Sequence, residues 1–225
     1  MPENEIIVVE GRWFAKQNVS VRSLFDLISD LNFDHHHAYF HHMFTDKRSF
    51  AQVVKHGAVR RGSRFLYVGA HGDEDAVYGS LSDEVEGRVT AADVRKAVFD
   101  AEKDGGFYHG LFFGSCAFVN DLTATALLVA PGAPQRVKWI AGYSGSPDWM
   151  LSTFLDGLFW TAILDRGYED SNAPTRRIKN AYETVQSQAA GLVETLDFRA
   201  YYVRGTSVRR LRSIDGDLCD ESVGS

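Results

Sequence analysis

The chain has 225 residues, 44% hydrophobic and 24% charged, a globular balance at a length that fits one large domain better than two small ones. Its formal charge is −6, from 24 basic and 30 acidic residues, so bulk electrostatics offers no pull toward nucleic acid or an anionic membrane, and neither is expected as a partner. The opening MPENEIIVVEGRWF lacks the basic start and apolar core of a secretory signal, and no stretch reaches the roughly 18 consecutive apolar residues of a membrane helix. The two cysteines, Cys116 and Cys219, do not form a disulfide framework, so a cytoplasmic protein with both thiols reduced is expected.

Short apolar runs bounded by Gly or Asp alternate with stretches of helical period, which predicts an α/β fold with a mainly parallel sheet. In chain order the pattern gives a strand at Ile6–Val9, helices at Val21–Leu31 and Ser49–His56, and a strand at Phe65–Val68. A small antiparallel hairpin comes next at Tyr78–Thr90, then a helix at Ala91–Glu102 whose start carries a Thr90/Asp93 capping signature. Strands at Gly110–Phe113, Trp139–Tyr143 and Ala200–Val203 complete the sheet, with helices at Leu122–Leu128, Asp148–Asp165 and Thr175–Leu196 between them. One domain over residues 1–212 is expected, followed by a disordered acidic tail over 213–225.

Two strand ends carry reactive side chains. Phe65–Val68 runs straight into Gly69, Ala70, His71 and Gly72, and Gly110–Phe113 runs into Gly114, Ser115 and Cys116. Catalytic groups of open α/β sheets gather at the carboxyl ends of strands, so both side chains are expected in one crevice. Their separation of 45 positions suffices for a hairpin, a crossover helix and a strand, which makes the two strands expected neighbours. A free thiol of pKa about 8.5 is a poor nucleophile near neutrality, and an imidazole beside it supplies the missing base. The backbone N–H groups of Gly72 and Cys116 are the candidates for an oxyanion hole.

With YVGAHG (Tyr67–Gly72) and LFFGSC (Leu111–Cys116) in this order, and a hairpin and helix between them, the chain resembles the caspase-like cysteine peptidases of clan CD, and among them the bacterial CHAT-type branch. The resemblance implies a three-layer α/β/α fold and a thiol protease that cleaves through a thioester without a cofactor or metal. It also implies a protein or peptide substrate and a regulatory or effector partner, in settings that include bacterial defence. In such proteins the loop after the next strand, here within Trp139–Trp149, helps form the pocket for the residue preceding the scissile bond. Asp148, with Ser144 and Ser146, is the candidate set there, and an acidic Asp148 would favour Arg or Lys. The same Ser146, Pro147 and Asp148 also read as a helix start.

Other features compete with this reading. Asp34–His42 holds five histidines in nine residues, but alternation puts only His35, His37 and His41 on one strand face without fixing a tetrahedral site, so a strand or loop is favoured over a metal centre. GYSGS (Gly142–Ser146) imitates a serine-hydrolase elbow around Ser144, yet no histidine follows His109, against the order such enzymes need. His109 is assigned a structural role. Asp73, Glu74 and Asp75 form an acidic run beside His71, read as a solvated loop, with orienting the imidazole or touching a basic substrate as the alternative roles for one of them, between which spacing does not choose. Surplus apolar surface on Trp149–Leu164 is a candidate partner interface, and Arg209, Arg210 and Arg212 raise the question of self-processing. The alternative to an enzyme is a catalytically silent caspase-like interaction module; a nucleotide-binding domain is disfavoured because Val9-Glu10-Gly11-Arg12 is no phosphate-binding fingerprint.

Overall fold

Five parallel strands form the heart of the molecule: β1 (Glu5–Glu10), β2 (Ala38–Met43), β3 (Ser63–Gly69), β7 (Gly110–Gly114) and β8 (Trp139–Tyr143). The computed structural model describes residues 5–12, 20–31, 38–59, 63–80, 87–165, 174–214 and 217–223. Three antiparallel strands, β9 (Phe198–Arg204), β10 (Ser207–Ile214) and β11 (Asp217–Ser222), extend the sheet to the order β11-β10-β9-β8-β7-β3-β1-β2. A second sheet of three very short strands, β4 (His71–Gly72), β5 (Ala76–Tyr78) and β6 (Arg88–Thr90), stands off the main one.

The layers arise from strand alternation, because successive side chains of a strand face opposite sides. On one side Phe65, Tyr67, Phe112, Trp139 and Tyr143 pack against α1 (Arg22–Leu31), α5 (Trp149–Leu164) and α6 (Pro174–Thr195). On the other, Leu66, Val68, Leu111, Phe113 and Ile140 pack against α2 (Lys47–Val59), α3 (Ala91–Lys103) and α4 (Asp121–Leu128). Both faces are buried, which is why these strands are apolar without a break. The result is the expected three-layer α/β/α arrangement. The aromatic face is tightly interlocked: Tyr67 stacks on Phe112 with centroids 5.4 Å apart, and Trp160 of α5 meets both rings.

The last expected strand runs opposite to its neighbours. A single crossover helix would have returned the chain for a parallel strand, but α5 and α6 form an antiparallel pair, so the chain re-enters at the end where β8 finished, with Phe198 opposite Tyr143. Asp197, at φ +46°, makes the tight reversal between α6 and β9.

The disordered acidic tail is overturned. Residues 217–222 form β11, an edge strand paired with β10, and Asp220 there meets Tyr202, Lys179 and Arg209, with the Lys179 ammonium 3.4 Å from its carboxylate. Arg212 reaches Glu221 at 2.8 Å. The acids of this stretch order because a basic strand lies alongside. Arg209, Arg210 and Arg212 are consequently held in β10, between β9 and β11, and not in an extended tail.

The hairpin after β3 begins earlier than expected, at Ala76, and takes His71–Gly72 as its third strand. Of the histidine cluster, His35 and His37 lie outside the described residues. His41 sits on edge strand β2, its Nε2 2.6 Å from the buried Glu10 carboxylate, and among the described residues no group of three metal-ligating side chains converges. No described helix is long and apolar enough to cross a membrane.

Candidate active site

The parallel pairing of β3 with β7 sets the site. Gly69 stands in register with Gly114, and each is two residues short of a reactive side chain, His71 on one strand and Cys116 on the other. Both chains therefore leave the sheet at the same edge and for the same length. Beyond the edge, His71 and Gly72 turn into the small sheet, pairing with Tyr78 and Val77. His71 is exposed and Cys116 partly buried.

The two turns touch through Gly72. A Cβ there would lie 2.8 Å from the Cys116 carbonyl oxygen and 3.0 Å from the Ser115 Cβ, so only glycine lets the His71 turn rest on the cysteine turn. Asn120 pins them from the side: its Oδ1 caps α4 at Thr123 N, while its Nδ2 donates to the carbonyls of Glu74 at 2.9 Å and Ala117 at 3.3 Å. Composition gave no hint of that clamp; the signal was an N-cap residue four positions after the cysteine. Ala117 itself sits at φ +55°, the left-handed region that a non-glycine residue occupies at a cost of about 1 kcal/mol. Its amide donates to Gly145 O at 2.7 Å, tying the cysteine turn to the loop after β8.

That loop carries the other expected residues. Ser146 hydrogen-bonds the Cys116 thiol. Ser144 is occupied through its backbone, donating to Asp197 O at 3.0 Å. Asp148 is exposed and serves as the N-cap of α5, its carboxylate accepting from Leu151 N at 3.0 Å. The helix-start reading of Asp148 fits this N-cap geometry.

The acidic loop after His71 also has a structural occupation. Asp73 Oδ1 accepts from the amides of Asp75 and Ala76, both at 2.8 Å, and its other oxygen takes the Tyr78 hydroxyl. Burial pushes Asp73 up, but these donors outweigh it and hold the carboxyl below its ordinary value, so it is an anion that shapes the turn carrying His71. Asp75 lies 3.8 Å from Arg88.

Burial raises the Cys116 thiol above its ordinary value, and its own N–H and the Ser146 hydroxyl only partly offset that. The resting side chain is thus a neutral thiol at neutral pH, and attack requires a base at the moment the substrate is in place. Alkylation of Cys116 by iodoacetamide should therefore keep accelerating with pH beyond the point where an ordinary thiol has levelled off, and Ser146→Ala should shift the profile higher still. Rates read by peptide mass spectrometry check this; a plateau at or below neutral pH contradicts it.

A cavity of about 300 Å³ opens beside the cysteine strand, lined in part by Tyr67, Gly114, Trp149, Ser152 and Asp156. Asp156 is fully buried, 2.8 Å from the Tyr67 hydroxyl and 2.5 Å from that of Tyr143, and burial raises its carboxyl to about 7 against the pull of both donors. Sequence reasoning missed this residue. The available signal was a lone acid on the apolar stripe of α5, in step with Ser152, Leu155, Phe159 and Trp160.

No protein-family model matches the chain, and no curated protein matches it in sequence. Solved structures do. A secreted C11 cysteine protease from Bacteroides thetaiotaomicron, in complex with an irreversible peptide inhibitor, superposes with a TM-score of 0.53 at 10% identity over 92% of this chain and 66% of its own. A further structure of a secreted C11 protease from that organism, iotapain, gives 0.53 at 12% identity over 93% of this chain and 67% of its own. The Arg-specific cysteine proteinase gingipain R gives 0.52 at 10% identity, over 87% of this chain and 44% of its own. The chain thus spans about two thirds or less of the length of these proteins. At such identities the likeness speaks for the fold, and the chain has the caspase-like three-layer fold of the clan CD cysteine proteases.

Proposed function

We propose that the chain is a cysteine endopeptidase with a Cys116/His71 dyad. The observation that carries this is the register of β3 on β7, which delivers both side chains two residues beyond one sheet edge. His71 takes the Cys116 proton as the sulfur attacks the substrate carbonyl carbon. The C=O electron pair moves to oxygen, for which the amides of Gly72 and Cys116 are the proposed donors. Collapse of that intermediate breaks the C–N bond, the amine leaves with the proton from His71, and a thioester remains. Water, deprotonated by His71, then hydrolyses the thioester and regenerates the thiol. The scheme calls on no metal or cofactor.

Within clan CD we place the chain in the CHAT-type branch, on the strand ends YVGAHG and LFFGSC. A basic residue before the scissile bond, a protein or peptide substrate, and a regulatory or effector partner in a cytoplasmic defence system complete the reading. Two free thiols, Cys116 and Cys219, suit a reducing compartment.

A peptidyl chloromethyl ketone tests the dyad against a silent interaction module. Both cysteines are partly exposed, so Cys219 is an internal control for ordinary thiol reactivity. Labelling of Cys116 that saturates with inhibitor concentration and disappears in His71→Ala supports the enzyme. Equal, slow labelling of both cysteines supports the silent module.

A further inference from the structure

We infer that the trough between α1 and α5 is a docking surface for a basic amphipathic helix of a partner protein, which gives the partner proposed above a place and a chemistry. Docking itself does not depend on the peptidase reading, which stands or falls on Cys116 and His71.

Surplus apolar surface makes the first argument. Each helix already buries one stripe in the core, Phe25 and Ile28 on α1 and Leu155, Phe159 and Ile163 on α5. Each then shows a second stripe to solvent. Leu27 and Leu31 on α1, with Met150 and Phe154 on α5, are all more than half exposed, and they are four of the six large apolar side chains so exposed among the described residues. Both pairs are spaced by four, which sets each on one helix face. Apolar surface gathered on two neighbouring helices marks an interaction site, whereas leucines exposed singly would not.

Shape makes the second. The trough holds about 1010 Å³ and runs past Ser23 to Leu31 on one wall and Thr153 to Asp165 on the other, about 12–18 Å at the rise of a helix. An occupying helix therefore makes contact over about two to three turns. The walls meet at Gly157, where a Cβ would lie 3.5 Å from Leu24 Cδ1, so α1 and α5 close the floor while Leu27 and Phe154 stay open to solvent. An apolar furrow between two helices is the receiving half of helix-in-groove recognition. Ser23, Leu24 and Thr153 line both this trough and the smaller cavity at Gly114, so its near end opens toward the cysteine strand.

Charge decides the occupant. Among the described lining residues Asp165 is the one that carries charge. Exposed Asp26 and Asp30 flank the α1 stripe, and Arg22, 3.8 Å from Asp26, is the only base on α1 or α5. From α6 come neutral Thr184 and Gln188, with exposed Glu183 beside them; its bases Arg176, Arg177 and Lys179 are not among the described lining residues. An apolar floor with an acidic rim fits a helix that carries apolar residues at i, i+4 and i+7 and Lys or Arg alongside. A second copy of this chain would set acid against acid, and an anionic bilayer would be repelled.

The test uses the full chain as its Cys116→Ala variant, so that bound peptides stay intact, and a displayed library of random peptides of about 16 residues, enough to span the trough with a turn to spare. We expect the selected peptides to share apolar residues at helical spacing with Lys or Arg beside them. Adding Phe154→Lys or Leu27→Lys to the protein should weaken their binding at least about tenfold. Both positions are more than half exposed, so Tm should stay at its original value. Exchanging the peptide's bases for Glu should also weaken binding about tenfold, and added salt should weaken the basic peptide alone. A library that yields no binder, peptides that bind both lysine variants undiminished, or peptides selected for acids in place of bases overturn the assignment. So does a dimer in sedimentation velocity, or binding to phosphatidylserine vesicles, that Phe154→Lys abolishes. None of these outcomes touches the cleavage and labelling that test the dyad.

Discussion

Cys116→Ala and His71→Ala should each lower peptide hydrolysis by about 10⁴-fold or more, and the double variant should be little worse than either alone. Non-additivity is the informative part. A thiol without its base and a base without its thiol are equally unable to form the acyl-enzyme, so the second deletion removes nothing further. The fold should tolerate both changes. His71 is exposed on a two-residue strand, and Cys116 is a small, partly buried side chain whose hydroxyl partner Ser146 is itself exposed. Losses of stability within about 1 kcal/mol are expected, which move Tm by no more than a few degrees. Steady-state kinetics on a peptide substrate, with thermal unfolding beside it, checks the pair of statements. Hydrolysis that persists in either variant at more than a hundredth of the wild-type rate sinks the dyad.

The two strand ends were legible because a strand buried on both faces is written as an uninterrupted apolar run, and Phe65–Val68 and Gly110–Phe113 are such runs. The residues after a run of that kind must leave the sheet, so His71 and Cys116 declared their positions with no tertiary information. β10 and β11 were illegible for the opposite reason. VRRLRSI sets its apolar residues Val208, Leu211 and Ile214 three apart, out of step with strand alternation, and DLCDES has little apolar content, so that opposite charges paired across the strands, Arg212 with Glu221 and Arg209 with Asp220, help hold the edge. Read alone, DLCDES has the composition of a solvated tail; its partner, a few residues upstream, cancels the charge.

Asp148 and Asp156 show the same limit within the site. Both are acids of the region after β8, and the family resemblance pointed to the loop that holds the nearer. Asp148, however, had a local use, since the start of α5 leaves amides without acceptors and a carboxylate there is quickly spent on them. Asp156 has no such local use. Two turns into an apolar helix, its acceptors are filled only by hydroxyls arriving from β3 and β8, a meeting that no sequence window contains.

The tightest coupling between fold and chemistry lies at Gly72, and Gly72→Ala should cost about 10²-fold in kcat/KM. The added methyl meets backbone, the Cys116 carbonyl at 2.8 Å, and the Cβ of the fully buried Ser115 at 3.0 Å, so neither neighbour is a flexible end that swings aside. The cysteine turn is itself fixed by Ala117 N on Gly145 O and by Asn120, which leaves the small sheet as the part that yields. His71 moves with it. A displacement of a few tenths of an ångström up to about 1 Å separates base from thiol while the core, built from β3, β7 and β8, is untouched; overpacking at one edge contact costs about 1–3 kcal/mol. The contrast is Gly191→Ala on the exposed side of α6, where a Cβ meets nothing within 4 Å. That change should leave activity intact and raise stability by up to about 1 kcal/mol. Loss of activity in the first variant, without comparable loss of Cys116 alkylation by iodoacetamide, locates the defect in the placement of His71; full activity in Gly72→Ala contradicts a working contact between the two turns.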